Sequence, residues 1–248
     1  TGFAKSHHKD IAAELAGVVK SACQSATDRI KQFPYFHPEF TLHDESHLLR
    51  VTELMAILIG DDVKTLNPIE ISLLILSAFF HDQGMVPDAE EWEQVKESPE
   101  FLLSLERWGQ DHPNVRDIRR QLEDPRFSDR EKDALSVKLQ QHLDAHRTSF
   151  LRVTHGERAE QLVNRLYGTG SGLSIAGASL APFLGRLCAS HVWPASRLTD
   201  DNGFRVDQSV GTFSVNLRFL ALLLRVADIL DFDRDRTPEP LLRTINIS

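Results

Sequence analysis

Ser77–Met85 reads SAFFHDQGM and follows the apolar run Ile71-Ser72-Leu73-Leu74-Ile75-Leu76. A run this apolar suits an interior helix, yet it ends in a histidine beside an aspartate. A buried carboxylate is costly unless it is paired or bound to a cation. Upstream, LNPIE (66–70) is a helix-start signal: Asn67 as N-cap, Pro68 at the first helical position and Glu70 three residues past the cap. The pattern predicts a helix from Pro68 into His81-Asp82, stopped by Gly84.

Helical period dominates the rest of the chain. Ile11, Leu15, Val18, Val19 and Ala22 share a face in a helix over 9–31, and Leu48, Val51, Leu54 and Leu58 share one over 45–59. Between them lies an aromatic loop, FPYFHPEFTLHDES. Residues 86–147 are charge-rich, with DIRRQLEDPRFSDREKD at the centre, and read as short solvated helices inserted over a core. Further helices are expected over 148–167, 173–190 and 214–231, with GTGSG (168–172) as a flexible loop. The 214–231 segment is apolar nearly all round and should be central. Short strands are expected near 203–212 and 241–247. The class is all-α, and we expect one domain over 1–248 with 86–147 as its insertion.

Composition narrows the function. The chain has 248 residues, a hydrophobic fraction of 41% and a formal net charge of −8. Its pI near 5.8 argues against a broad nucleic-acid footprint, which needs a basic face, but not against a small basic pocket. Cys23 and Cys188 stand alone, and make neither a disulfide framework nor a zinc knuckle. No apolar run reaches the length of a membrane span, and no signal peptide is visible, so a cytoplasmic location and no membrane partner are expected. The chain starts at Thr1 and stops in the β-prone LLRTINIS; we expect it to be the N-terminal part of a longer protein.

Six polar residues end or interrupt apolar helices: His47, His81, Asp82, His155, His191 and Asp228. Apart from the adjacent His81-Asp82, each sits on a different helix. Four imidazoles and two carboxylates without a thiolate suit borderline or hard divalent metals. Asp82 has two oxygens and can bridge two ions. Two ions about 3.5–4 Å apart could clamp a phosphoryl group.

HLLRV (47–51), FFHDQG (79–84) and LLRVADILDF (223–232) resemble the metal-binding segments of the HD superfamily of metal-dependent phosphohydrolases. FLRVTHGERAEQLV (150–163) and CASHV (188–192) are similar to the extra histidine segments of its two-metal members. HDESHLLRV, THGERA and ADILDFDRDRTP look most like the HD-CE type. The resemblance runs from about residue 40 to 240 and implies an HD-domain helical bundle. It also implies a place in bacterial conflict and antiviral defence, and a following GHKL-type ATPase module. It makes His47, His81, Asp82 and Asp228 the core ligands and gives His155 and His191 to a second metal. One or two divalent ions, of Mn, Mg, Fe, Ni, Co or Zn, are therefore expected. Met85 stands where many HD enzymes carry a lysine (HDIGK), so a role of that lysine does not transfer.

His43 lies four residues before His47, one turn earlier if both are helical. The arrangement is similar to that of class I cyclic nucleotide phosphodiesterases, in which this histidine protonates the leaving oxygen. His43 is thus a candidate general acid, with helix capping or loop packing as the alternative. Asp44 reads as an N-cap. Arg50, Arg152, Arg158 and Arg225 each stand three residues from a ligand. They offer forks for phosphate or pair with neighbouring polar groups. Of these, Arg50, Arg152 and Arg225 are taken as substrate contacts. Asp231, one turn past Asp228, reads as a supporting group. His7, His8, His37, His112, His142 and His146 read as surface or loop residues.

The expected activity is metal-dependent hydrolysis of a phosphoester or phosphoanhydride in a nucleotide-like small molecule, with Asp82 and His43 as catalytic groups. The alternatives are a nuclease acting on single-stranded nucleic acid, and an HD module that senses a nucleotide and regulates an attached ATPase.

Overall fold

A computed structural model describes the backbone of residues 2–37, 44–168, 172–175 and 178–231, and side chains from residue 13 onward. The all-α expectation holds. Helix α1 spans Gly2–Ile30, a short α2 spans Phe33–Phe36, α3 spans Glu45–Ile59 and α4 spans Pro68–Phe80. Then follow α5 (Ala89–Glu97), α6 (Pro99–Asp111), α7 (Pro113–Glu123), α8 (Asp129–Tyr167), α9 (Ala181–Ser190) and α10 (Leu217–Leu230). Two antiparallel hairpins interrupt them: β1 (Ser174–Ile175) with β2 (Ala178–Ser179), and β3 (Gln208–Val210) with β4 (Phe213–Val215).

Residues Pro87–Thr154 form one compact unit, and the described residues before and after them form another. In the larger unit α4 is central, packed against α1, α3, α9 and α10. It is buried nearly all round, from Ile69 to Phe80. Its start is the capping box expected from LNPIE: the Asn67 side chain accepts from the Ile69 and Glu70 amides, and Glu70 accepts from the Asn67 amide. The same two residues reach α10: Asn67 donates to Ser214 O, and Glu70 accepts from the Asn216 amide, itself at the α10 N-cap. With their starts tied and nearly equal lengths of about 20 Å, α4 and α10 deliver their C-terminal ends to one place.

Several expectations need correction. Residues 129–167 form one helix of 39 residues, so the charged segment and the 148–167 helix are continuous. Ser174–Ile175 and Ala178–Ser179 pair as strands where a helix start was expected, and α9 begins at Ala181. Helix α10 begins at Leu217, because Phe213–Val215 is strand, and it is not enclosed: Phe219, Leu222, Val226, Ile229 and Leu230 are exposed. The buried stripe of α3 is His47, Leu48, Val51 and Met55, and Leu58 faces outward. His37, a loop residue as expected, and His146, within α8, are both buried rather than at the surface. His37 Nε2 donates to Met85 O at 2.8 Å, and His146 packs against Phe101, Trp108 and Phe150 with Ser104 Oγ 3.0 Å from its Nε2. The proposed strand at 241–247 lies outside the described residues. Among the described residues, no single helix is long and apolar enough to cross a membrane.

Candidate metal centre

The six residues come together in the larger unit, five of them at helix ends and His155 within a helix. His47 is in the first turn of α3, where Asp44 caps the helix by accepting from the His47 amide. His81 is the C-cap of α4, with Asp82 next, and His191 is the C-cap of α9. Asp228 lies in the last turn of α10, and His155 lies within α8. Three helix C-termini thus face the site. Their carbonyl ends add negative potential to two carboxylates, which favours a cation.

Two glycines allow the close approach. Helix α4 ends at Phe80, and Gly84 lies in a 3-10 turn against α8. A Cβ at Gly84 would stand 2.0 Å from His155 O, so only glycine lets the His81-Asp82 turn meet His155. Arg158 fastens the same contact, its Nε donating to Gly84 O at 3.0 Å. At Gly156 a Cβ would meet Val192 at 2.6 Å, which brings α8 onto the His191 segment.

The carboxylate of Asp82 lies between two groups. Its Oδ2 is 3.3 Å from His47 Nε2 and 3.2 Å from His81 Nε2, and these face Asp228 Oδ1 at 3.7 and 3.5 Å. Its Oδ1 is 3.3 Å from His155 Nε2 and 3.6 Å from His191 Nε2. The two histidine pairs are themselves close, with Nε2···Nε2 distances of 3.2 Å (His47–His81) and 2.8 Å (His155–His191).

The protonation pattern makes these contacts informative. A carbonyl oxygen only accepts, so His81 Nδ1, 3.0 Å from Ala78 O, and His191 Nδ1, 2.5 Å from Cys188 O, carry protons. In the neutral rings Nε2 is then a bare lone pair. Lone pairs aimed at each other and at a carboxylate repel, unless a proton or a cation lies among them. Metal bonds of about 2 Å at angles of about 90–110° put neighbouring donors roughly 2.9–3.4 Å apart. The distances of 3.2–3.3 Å fall in that range and those of 2.8 and 3.5–3.7 Å lie close to it, so the donor set can hold divalent cations in two groups that share Asp82: His47, His81, Asp82 and Asp228, and Asp82, His155 and His191.

The electrostatics agree. Burial presses His47 down, but Asp231 and Asp82 outweigh it and leave its pKa above the ordinary value. Burial also opposes His81, yet Asp82 and Asp228 carry it well above. His191 goes the other way: burial, with His81 and His155 as like charges, outweighs Asp82. For Asp228 burial raises and His81 lowers, and the net is below the ordinary value. The cluster draws positive charge inward.

The arginines are placed as follows. Arg50 Nε is 2.9 Å from Asp231 Oδ1, while Asp231 Oδ2 is 2.6 Å from His47 Nδ1. Arg225 donates to the carbonyls of His191 and Trp193 and so holds the turn that carries His191. Arg152 is exposed and belongs to the 87–154 unit. His43 lies outside the described residues. Sequence reasoning missed His37, whose bond to Met85 O anchors the turn after Asp82. No sequence pattern pointed to it. Cys23 and Cys188 are free, and burial pushes the Cys23 thiol up to about 12 and that of Cys188 well above its usual value, which disfavours the thiolate at both.

A protein-family model, that of HD-CE, matches residues 37–248. The chain belongs to the HD-CE family. No curated protein and no solved structure matches it. An HD-CE domain with a buried His/Asp cluster able to hold a metal points to a metal-dependent hydrolase.

Proposed function

We propose that this HD-CE domain hydrolyses a phosphoester or phosphoanhydride of a nucleotide-like substrate, using two divalent ions that share Asp82. One observation carries the reading: the two oxygens of Asp82 face two separate groups of imidazole nitrogens. His47, His81, Asp82 and Asp228 would hold one ion, and Asp82, His155 and His191 the other. Ions bound there would polarise the phosphoryl group and activate water at neutral pH.

The protein's own groups do the rest. Backbone carbonyls of Ala78 and Cys188 keep His81 and His191 in the ligating tautomer. An arginine has five N–H donors, so the bonds of Arg50 and Arg225 to the frame are compatible with a further contact to phosphoryl oxygens. The case for Arg152 rests on its spacing from His155. His43, four residues before His47, is proposed as the group that protonates the leaving oxygen. A nucleotide needs only the metals and two or three arginines, whereas a long polyanion favours a basic face that a net charge of −8 does not supply. A role in bacterial defence, with a following ATPase module, is proposed on the resemblance of the HD-CE segments alone.

The test is metal analysis with a phosphate-release screen against nucleotides, cyclic nucleotides and single-stranded DNA and RNA. Metal-dependent turnover of a nucleotide supports the reading. Tight, steeply salt-dependent binding and cleavage of single strands would replace it with a nuclease. Nucleotide binding without turnover by the metal-loaded protein would replace it with a sensor.

A further inference from the structure

His81 and His191 share one device: each caps a helix and turns its Nδ1–H onto the carbonyl three residues back. His47 cannot use it, because it lies in the first turn of α3 with no helical turn before it. Its Nδ1 meets a carboxylate instead, Asp231 Oδ2, at 2.6 Å. The Asp231 side chain is fully buried, and its other oxygen is 2.9 Å from Arg50 Nε. The sequence spacing is the same on both helices. His47 and Arg50 are three apart on α3, and Asp228 and Asp231 are three apart at the end of α10. Each helix contributes one metal-facing residue and one residue behind it.

We infer that Arg50 and Asp231 are positioning residues that set the tautomer of His47 and thereby the affinity of the His47 half of the site. The inference rests on the metal reading above. A neutral imidazole has one proton, and its position decides whether Nε2 can bind a cation. Asp231 holds that proton on Nδ1 and makes the ring a more basic donor than a carbonyl partner would. Arg50 offsets the cost of burying the carboxylate and fixes which oxygen faces which partner.

This arrangement makes an isosteric change informative. In Asp231→Asn the amide has one oxygen and one NH2 group. Arg50 can only donate, so it claims the oxygen and turns the NH2 group toward His47. An NH2 group can only donate to Nδ1. The His47 proton must then move to Nε2, where it blocks the cation.

The experiment uses metal-stripped protein, wild type and variants. Co2+ is titrated by calorimetry, and histidine tautomers are read by 15N NMR above the pH at which the rings lose their second proton. Expected is His47 with its proton on Nδ1 in wild type and on Nε2 in Asp231→Asn. Co2+ affinity in the His47 half should fall about 10–100-fold, with the His155/His191 half little changed. Adding Arg50→Leu to Asp231→Asn frees the amide oxygen to turn to His47, and part of the affinity should return, a rescue that a merely structural role would not give. An Asp231→Asn protein with an unchanged His47 tautomer and unchanged Co2+ affinity overturns the inference. If wild type binds no Co2+, the metal reading fails, while the tautomer shift still decides whether Asp231 positions His47.

Discussion

The two halves of the cluster share Asp82 and differ in what surrounds it. One half has two imidazoles, a second carboxylate in Asp228 and a carboxylate behind His47. The other has two imidazoles and only the shared carboxylate. Their histidines respond in opposite senses: His47 and His81 are raised by nearby carboxylates, and His191 is lowered by burial and by like charge. Similar helix-cap geometry thus gives different sites, because negative charge decides how strongly a site attracts a cation. We expect a tightly held ion in the His47 half and a more readily lost one in the His155 half.

The largest expected effect removes the comparison altogether. Asp82→Ala takes an oxygen from both halves, so both ions should be lost and turnover abolished, as read by metal analysis after gel filtration. Retention of either ion at wild-type affinity would mean that Asp82 does not bridge.

The next effect separates chemistry from binding. His43→Ala should keep both ions and lose about 10²–10⁴-fold in turnover on substrates with alkoxide leaving groups. A nitrophenyl phosphodiester, whose leaving group needs little protonation, should be largely spared. Equal loss on both substrates, with metal retained, would make His43 a residue that positions the helix or the substrate. Loss of metal would place it among the ligands or their supports.

Single histidine changes sharpen the contrast between the halves. His191→Ala should release one ion and leave the tighter one, whereas His81→Ala should release the tighter one. The check is the metal stoichiometry of each variant in calorimetry. If both variants lose the same ion, the two halves are one site.

The smallest effect is a dependence on pH. The raised pKa values of His47 and His81 mean that the metal-free folded protein holds protons that the unfolded chain has released. Their stabilisation is complete below the unfolded value of about 6.5 and is lost as pH rises through the folded values. His191, lowered, contributes in the opposite sense, but only below that window. In EDTA the melting temperature should therefore fall as pH rises above about 6.5, by about 2–4 °C per kcal/mol. The increment on adding a divalent ion should grow over the same range, since metal and proton compete for the same nitrogens. A metal-independent, flat profile would count against the cluster as a cation site.

Much of the fold could be read from the chain because its signals are local. Asn67-Pro68-Glu70 marks a helix start by capping chemistry alone, and α3 was legible to the residue as 45–59. The residues of the cluster stood out because a polar group that ends an apolar helix is costly in isolation. What escaped depends on tertiary contact. Ser174–Ile175 and Ala178–Ser179 carry no strong strand signal, and their pairing is set by partners rather than propensity. Residues 129–167 read as two segments because no apolar stripe continues through the charged part, although the helix does. Gly84 looked like a helix stop, but its place against the His155 carbonyl exists only once α8 packs on the turn. Spacing placed Arg50 on the face of His47 but could not show that it meets Asp231, a residue far along the chain.

The central claim is that Asp82 joins two cation sites, and anomalous diffraction from crystals grown with Mn2+ tests it most directly. Expected are two peaks about 3.5–4 Å apart, one on each side of the Asp82 carboxylate, the first among His47, His81 and Asp228 and the second beside His155 and His191. A protein saturated with Mn2+ whose peaks lie away from Asp82, or which shows none, would contradict it.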